Sequence, residues 1–209
     1  MIEVHHLNNS RSQRILWLLE ELALPYTIVT YERDPATMLA PATAKAIHPL
    51  GKFPVIRDGE VVIAESAVIL EYLNEHHAQG RLAPANGTRN HERHRYWMHY
   101  AEGSLMPQLL LKLYMARVGD SARVLADRID AQIRMHLEFI EGELGDTPFF
   151  VGDDLTLADI QMSFPLEVAK TQHLLENQPR LSSFIERVHA RPSYRRALAR
   201  GGPYAFAQD

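Results

Sequence analysis

The residues that could do chemistry lie around a hairpin predicted by the run GKFPVIRDGEVVIAES. Asp58-Gly59 stands between two apolar segments, a pattern typical of a tight type I′ turn with positive φ at both central residues. Pro54 removes a ladder donor from the first segment, so that strand must be an edge, a start, or a place where pairing stops. Glu65-Ser66 then opens an apolar-periodic segment and offers a hydroxyl residue as its helix N-cap.

This hairpin places a rigid X-Pro turn and a helix N-terminus close to each other. Unpaired N–H groups at a helix N-terminus attract anions, and the turn presents its main chain. Together they can bind an extended, anionic, peptide-like ligand. The chain has no cysteine among its 209 residues, so it can form neither disulfides nor iron–sulfur clusters. Any thiol chemistry must use a sulfur that the ligand supplies.

Bulk composition excludes several classes of protein. A net charge of −4 argues against a general nucleic-acid binder. No apolar run approaches the roughly 20 residues that span a bilayer, so no membrane partner is expected. The first ten residues, MIEVHHLNNS, lack the charged and apolar regions of a signal peptide. We therefore expect a cytoplasmic protein.

Two domains with different patterns are predicted. Residues 1–78 alternate strand and helix patterns, with strands at Ile2 to Leu7 and Tyr26 to Tyr31, in the order βαβ and then ββα. Residues 79–87, rich in glycine and proline, are predicted to be a linker. Residues 88–209 are predicted to be all-helical. Gly119-Asp120-Ser121 should separate the first two long helices, whose apolar residues recur every four positions: Trp97, Ala101, Leu105 and Leu109, then Leu125, Ile129, Ile133 and Leu137.

Two further helices are predicted near the C-terminus. Thr156 to Asp159 fits a capping box at the start of the third, in which Thr156 and Asp159 satisfy free backbone donors, a structural role. Pro165 should kink that helix. A fourth carries the apolar stripe Leu181, Phe184, Ile185 and Val188.

The segments resemble, in this order and spacing, the cytosolic glutathione transferases of the serine type, closest to a fungal and bacterial branch. The resemblance covers almost the whole chain. It is carried by Asn9-Ser10-Arg11-Ser12, His48-Pro49-Leu50-Gly51-Lys52-Phe53-Pro54-Val55, Glu65-Ser66, and Leu155 to Asp159. It implies an α/β plus all-α fold, with a thioredoxin-like N-terminal domain and a helical-bundle C-terminal domain.

The function implied by the resemblance is that of an enzyme of detoxification. It would activate glutathione, its co-substrate, as a thiolate that attacks apolar electrophiles, and it would act as a homodimer. An alternative is glutathione-dependent peroxide reduction or isomerisation at the same site. An alternative of another class is a non-catalytic binding or regulatory protein with this fold.

The family's catalytic group donates a hydrogen bond to the glutathione sulfur from a Tyr, Ser or Cys near the end of the first strand. No cysteine is present and no tyrosine precedes Tyr26, so the resemblance selects Ser10, counted back from Arg14. Ser12 is the expected helix cap. Asn9 could be a second donor and Arg11 a source of positive field, because this branch departs from the better-known serine motifs.

By the same resemblance, the proline matching Pro54 is cis and Val55 offers its main chain to the cysteinyl backbone. Ser66 would hold the γ-glutamyl carboxylate and Glu65 the ligand ammonium. Lys52, or His48 instead, would reach the glycyl carboxylate. The implied glutathione-binding residues are Lys52, Phe53, Pro54, Val55, Glu65, Ser66 and His48.

The electrophile site is expected between the domains, on the first long helix after the linker. Glu102 could instead reach the glutathione of a neighbouring subunit. No metal is expected, because His91-Glu92-Arg93-His94 is one residue too short for the HExxH zinc motif. The candidates for the electrophile pocket are Tyr100, Ser104, Met106 and Tyr114.

Overall fold

The computed structural model describes residues 1–119 and 123–207 of the chain. They form two compact units: the first contains Met1–Ala83 and the segment from His189 onward, and the second contains Pro84–Val188. The first unit is therefore discontinuous in sequence. This division differs from the one predicted, which assigned all of residues 88–209 to the helical domain.

The first unit contains one four-stranded sheet. Its strands are β1 (Ile2–Leu7), β2 (Tyr26–Tyr31), β3 (Val55–Asp58) and β4 (Val61–Ala64). They lie in the order β2-β1-β3-β4, with β1 parallel to β2 and antiparallel to β3. The two strands predicted for β1 and β2 are confirmed at both ends. Such a mixed sheet with flanking helices fits the thioredoxin-like fold implied by the sequence.

The predicted hairpin is confirmed, but its turn lies one residue further along the chain. Asp58 pairs with Val61, so the two loop residues are Gly59 and Glu60 rather than Asp58 and Gly59. Only Gly59 has positive φ, at 61°, whereas a type I′ turn needs it at both positions. Pro54 directly precedes β3, which confirms that it marks the start of a strand.

Three helices complete the first unit: α1 (Ser12–Glu21), α2 (Ser66–Ala78) and α8 (Pro192–Gly201). Short 3-10 helices lie at Ala42–Ala46, inside the segment expected to be loose, and at Ala205–Ala207. The last helix, α8, was not predicted. It packs against α1, where the buried rings of Trp17 and Tyr194 meet edge to face with centroids 5.5 Å apart.

The second unit is all-helical, as predicted. Its helices are α3 (Arg89–Tyr100), α4 (Met106–Val118), α5 (Arg123–Leu144), α6 (Leu157–Thr171) and α7 (Pro179–Ala190). A π-helical segment, Ala101–Leu105, joins α3 to α4 and makes them one long helical path. Gly119 ends α4 with a φ of 70°, and positions 120 and 121 of the predicted break lie outside the described residues.

Helix α6 runs through the core and begins with the predicted capping box. Asp159 is fully buried and accepts hydrogen bonds from the Thr156 N–H at 2.7 Å and the Thr156 hydroxyl at 2.9 Å. Its other carboxylate oxygen accepts from the Phe150 N–H at 2.7 Å. Burial nevertheless raises the pKa of Asp159 to about 6. Pro165 lies inside this helix. Among the described residues, no helix is both long and apolar enough to cross a membrane.

Candidate functional site

The strand register brings several predicted site segments to one end of the sheet. Leu7 at the end of β1 lies opposite Tyr31 at the end of β2. Val55 at the start of β3 lies between His5 of β1 and Ala64 at the end of β4. The segments that follow β1, precede β3 and follow β4 therefore leave the sheet at the same end, which we call the Pro54 end. They contain the candidate residues 9–11, 52–54 and 65–66.

Two helices begin at the Pro54 end. The first helical residue is Ser12 in α1 and Ser66 in α2, and both side chains are buried. The N-cap positions are therefore held by the preceding residues, Arg11 and Glu65, and the prediction that Ser12 and Ser66 are N-caps is wrong. Neither Arg11 nor Glu65 makes a side-chain capping bond. First-turn N–H groups and the positive ends of two helix dipoles are thus directed at this end, where they favour an anion.

Ser10 lies directly before α1 and is only 8% exposed. Its hydroxyl oxygen accepts from the Ser12 N–H at 3.2 Å, so Ser10 supplies the bond that was expected of a cap. The same oxygen lies 2.7 Å from the Ser12 hydroxyl. Either hydroxyl can be the donor in this pair, and when Ser12 donates, the Ser10 proton is able to point outward, so capping and ligand contact are compatible.

The hydroxyl of Ser12 points into the core rather than to its own helix. It lies 2.8 Å from His6 Nδ1 and 3.1 Å from the Leu7 carbonyl, and it accepts from the Leu7 N–H at 3.3 Å. His6 Nε2 in turn lies 3.1 Å from the carbonyl oxygen of Gly201, the last residue of α8. His6 was not predicted as a site residue, because no sequence signal shows that its ring meets the Ser12 hydroxyl on one side and the distant Gly201 carbonyl on the other.

The loop between β1 and α1 is held from two directions. Asn9 has a φ of 51°, and its side-chain oxygen accepts from the Ala205 N–H at 2.7 Å, which leaves its amide NH₂ as the donor. Arg33 donates to the carbonyl oxygens of Asn8 at 3.2 Å and Asn9 at 2.9 Å. Arg11, two residues after Asn9 in the chain, is half-buried. Arg33 was not predicted, because no sequence signal distinguishes an arginine that binds loop carbonyls from a solvated one.

Val55 cannot offer its main chain as expected. In an antiparallel ladder, the N–H and C=O of one residue point to the same neighbouring strand. Val55 has a partner strand on both sides, His5 and Ala64, so its polar groups face a strand in either direction. Its side chain is fully buried, as the sequence allowed. The expected main-chain role of Val55 is therefore wrong.

Phe53 is the residue whose main chain is available. It precedes β3, and within residues 1–119 and 123–207 no hydrogen bond engages its N–H or C=O. Its ring packs on Tyr31 with centroids 4.7 Å apart, and Tyr31 bonds to His5 Nδ1 at 2.9 Å. The Phe53-Pro54 peptide is cis, as the family resemblance implied. Phe53 is thus anchored by its side chain while its backbone stays open.

The remaining glutathione candidates surround the Pro54 end with different exposures. Lys52 and Glu65 are exposed, and Glu65 has a φ of 72°, which is unusual for a residue other than glycine. Ser66 is 4% exposed at the start of α2. His48 is half-buried, and its Nδ1 atom is buried without a hydrogen-bond partner among the residues that the structure describes.

The helical unit contains a cavity of about 580 Å³ on one face of α3 and the π-helical segment. Tyr100 and Ser104 line it, but Met106 is 3% exposed in the core and Tyr114 is 55% exposed outside the cavity. The structure thus brings together two of the four predicted pocket residues. The Tyr100 hydroxyl bonds to His136 Nδ1, and burial raises the pKa of Tyr100 above its ordinary value. Lining residues that were not predicted are Glu92, Arg95, Tyr96, His99 and Gly103.

Comparison with known proteins agrees with this architecture. The family models described as glutathione S-transferase N-terminal domain and C-terminal domain match residues 10–76 and 105–192. Glutathione S-transferase 1 of Saccharomyces cerevisiae is 34% identical over 93% of this chain and 92% of its own length. Glutathione S-transferase 3 of Schizosaccharomyces pombe is 34% identical over 83% of this chain and 76% of its own.

A solved structure agrees as well. The crystal structure of a glutathione S-transferase from Actinobacillus pleuropneumoniae superimposes with a TM-score of 0.90 at 32% identity, covering 100% of this chain and 97% of the other. The chain belongs to the glutathione S-transferase family.

Proposed function

We propose that this glutathione transferase binds glutathione at the Pro54 end of the sheet and ionises its thiol with the Ser10 hydroxyl. Family membership makes glutathione the co-substrate and its transfer to an electrophile the reaction. The observation that carries the proposal is the buried Ser10 hydroxyl at the head of α1, at the end of the sheet where a second helix also begins.

The extended tripeptide would bind across this end of the sheet. The open main chain of Phe53 would pair with its cysteinyl residue, in the manner of an added strand. Ser66 and the N–H groups at the start of α2 would hold the γ-glutamyl carboxylate, with Glu65 facing the ammonium. Lys52 would meet the glycyl carboxylate, with His48 as the alternative.

The energies available are sufficient for ionisation. Lowering a thiol pKa from about 8.5 by about two units requires about 2.7 kcal/mol. A hydrogen bond to a charged acceptor supplies about 1.5–3 kcal/mol, and a helix N-terminus adds about 0.3–1 kcal/mol. Ser10 at the head of α1 can therefore produce a thiolate, which attacks an electrophile held beside it.

Within the helical unit, the cavity lined by Tyr100 and Ser104 is the candidate site for the electrophile. Its walls combine aromatic rings with Arg95 and His99, so they suit an apolar electrophile that carries polar substituents. We also propose a homodimer, supported by the exposed Met135 and Phe139 on α5. A detoxifying role in the cytoplasm is consistent with a chain that has no cysteine.

The test is a titration of thiolate absorbance for glutathione bound to the parent protein and to Ser10→Ala. The parent should show a bound-thiol pKa well below about 8.5, and the variant should return it towards that value. An unchanged pKa in Ser10→Ala would assign the role to Asn9 or Arg11. A parent protein that is not retained on glutathione resin would instead be a non-catalytic member of the family. Turnover of an organic hydroperoxide faster than of a haloaromatic would favour the peroxidase alternative.

A further inference from the structure

A chain of hydrogen bonds leads from the proposed catalytic hydroxyl into the core of the first unit. Ser10 Oγ lies 2.7 Å from Ser12 Oγ, and Ser12 Oγ lies 2.8 Å from His6 Nδ1. His6 Nε2 lies 3.1 Å from the Gly201 carbonyl. Ser12 is 0% and His6 1% exposed, so the chain reaches solvent only through Ser10.

The Gly201 carbonyl fixes one hydrogen of the His6 ring. A carbonyl oxygen only accepts, so Nε2 must carry a proton to bond with it. Gly201 is also the last residue of α8, where helix carbonyls lack internal partners and the dipole is negative. This end of α8 therefore favours a second proton on His6, at Nδ1.

The two protonation states of His6 give the hydrogen bonds between His6, Ser12 and Ser10 opposite donor directions. When His6 is neutral, its Nδ1 accepts the Ser12 proton and Ser12 accepts the Ser10 proton, so Ser10 presents a lone pair outward. When His6 is an imidazolium, Nδ1 donates to Ser12 and Ser12 donates to Ser10. The Ser10 proton is then free to point at the ligand, as a donor to a thiolate requires.

The protonation state of His6 depends on its burial and on the few groups that surround its ring. Burial lowers the pKa of His6, and the bond to Gly201 opposes part of that effect, so the ring is neutral in the free protein near neutral pH. Helix α1 contributes Ser12 and the Gln13 side chain near Gly201, and β2 contributes Thr30, the partner of His6 in the ladder. The Leu7 carbonyl, 3.1 Å from Ser12 Oγ, is the competing acceptor.

We propose that His6, acting through Ser12 and Ser10, accepts the proton that the glutathione thiol loses. This inference rests on the proposed function above. The S–H bond breaks and its electron pair stays on sulfur, while the proton forms a new O–H bond on Ser10. The former Ser10 proton passes to Ser12, and the former Ser12 proton forms an N–H bond at His6 Nδ1. Nothing is oxidised or reduced, and the product is a thiolate facing the Ser10 donor, with a buried imidazolium behind it.

His6 and Ser12 are positioning residues, since only Ser10 would touch the ligand. Their role makes a prediction that a simple serine donor does not make. A thiol that loses its proton to solvent releases one proton for each thiolate formed. A thiol that transfers its proton to His6 releases none.

The first experiment therefore uses the unaltered protein. Glutathione is added in weak buffer near neutral pH, thiolate is followed by its absorbance, and proton release is followed with a pH indicator. We expect thiolate formation with release of far less than one proton for each thiolate. Release of about one proton for each thiolate would overturn the proposal.

The second experiment uses His6→Asn, which keeps an acceptor oxygen near the position of Nδ1 but cannot take up a proton. We expect glutathione to bind with similar affinity, the bound-thiol pKa to rise by about one unit, and the thiolate fraction below that pKa to fall about tenfold. The remaining thiolate should now release its proton to solvent. Ser12→Ala should shift the pKa in the same direction, and it replaces His6→Asn if that variant is unfolded by circular dichroism.

A matched control is His94→Asn, which alters a histidine that is equally buried, at 3% exposure, in α3 of the helical unit. It should leave the thiol pKa and the proton release unchanged. An unchanged thiol pKa in folded His6→Asn and Ser12→Ala, with Ser10→Ala impaired, would overturn the relay and leave the proposed function intact. Absence of glutathione binding in the parent protein would count against the proposed function itself.

Discussion

Glu21 and Arg191 form a bidentate ion pair that joins the end of α1 to the residue before α8. Glu21 Oε1 lies 2.5 Å from Arg191 Nη2, and Glu21 Oε2 lies 3.1 Å from Arg191 Nε. The side chains are 15% and 30% exposed, and Ser193 donates to the same carboxylate. The pair is thus partly desolvated and its geometry is bidentate, which are the conditions under which an ion pair stabilises a fold.

Removing this arginine should destabilise the first unit. Arg191→Gln leaves Glu21 half-buried without its bidentate partner, a loss of about 1–3 kcal/mol in the free energy of unfolding, between the ranges for exposed and buried pairs. Urea unfolding measures it. The control is Arg57→Gln, which breaks an exposed pair with Glu3 at 3.8 Å and should cost less than about 1 kcal/mol. Equal losses in the two variants would contradict the argument.

Low pH should weaken the contact between α1 and α8. Burial acts to raise the pKa of Glu20 and Glu21, but hydrogen bonds from Arg196 and Arg200 to Glu20, and from Arg191 to Glu21, hold both below the ordinary value of 4.5. A depressed folded-state pKa contributes stability that is present above 4.5 and is lost as the pH falls through the folded value. The melting temperature should therefore decrease as the pH is lowered below 4.5. The decrease should be smaller in Glu20→Gln than in the parent.

A side chain at Gly201 would have to displace the buried ends of the Gln13 and Leu16 side chains. A Cβ there would lie 2.8 Å from both Gln13 Oε1 and Leu16 Cδ1 and 3.4 Å from His6 Nε2. Gly201→Ala should destabilise the protein by about 1–3 kcal/mol through overpacking. The matched variant is Gly142→Ala in α5, where a Cβ meets nothing within 4 Å and alanine should stabilise the helix by about 0.5–1 kcal/mol. Thermal unfolding of the two variants should shift in opposite directions.

Replacing the buried Asp159 carboxylate at the start of α6 by an amide should destabilise the protein. Asp159→Asn turns an NH₂ group towards the N–H of Thr156 or Phe150, which costs about 1–3 kcal/mol. The control, Asp153→Asn at an exposed position, should change stability by less than about 0.5 kcal/mol.

The stability difference between the parent and Asp159→Asn should depend on pH, because Asp159 titrates and asparagine does not. The folded-state pKa of Asp159 is raised from 3.8 to about 6, so its contribution to stability is full below 3.8 and is lost as the pH rises through about 6. The stability deficit of Asp159→Asn should therefore narrow over that interval. A deficit that widens would show that the carboxylate, rather than the acid, is the favoured native form.

Lys52 offers a test of the contact proposed between its ammonium group and the glycyl carboxylate of glutathione at the Pro54 end. An exposed ion pair contributes about 0.2–1 kcal/mol, so Lys52→Met should raise the KM for glutathione by about 1.4- to fivefold. The kcat should stay unchanged, because the contact is the same in the ground state and the transition state. Lys45→Met, at an exposed lysine in the nearby 3-10 helix, should change neither value.

Local signals predicted the parts of the fold that depend on neighbours in sequence. Thr156 and Asp159 are three residues apart, and their capping box formed as predicted. Ser12 shows where this reasoning fails. Its sequence position suggested a cap, but its hydroxyl bonds to His6 and Leu7 instead, and tertiary partners of this kind leave no periodic pattern.

The same limit explains why α8 was not predicted as a separate helix and why the role of Val55 was predicted wrongly. Helix α8 is mostly polar, and its few buried residues, such as Tyr194 and Ala197, become an apolar face only against α1. The main chain of Val55 was expected to be free because a sequence shows which residues are extended but not which strands flank them. The register shows a partner strand on both sides of Val55, whereas Phe53 lies before the start of β3.

Gly201 joins its carbonyl to a histidine in the first strand, and this has a consequence for biosynthesis. A ribosome delivers the sheet long before α8, so a nascent chain can assemble β1 to β4 but must wait for almost two hundred residues to seat His6 against its acceptor. A chain truncated before α8 would form β1 to β4 without the carbonyl that His6 Nε2 contacts. In such a chain, the relay proposed for the glutathione proton would lack the group that fixes the tautomer of the His6 ring.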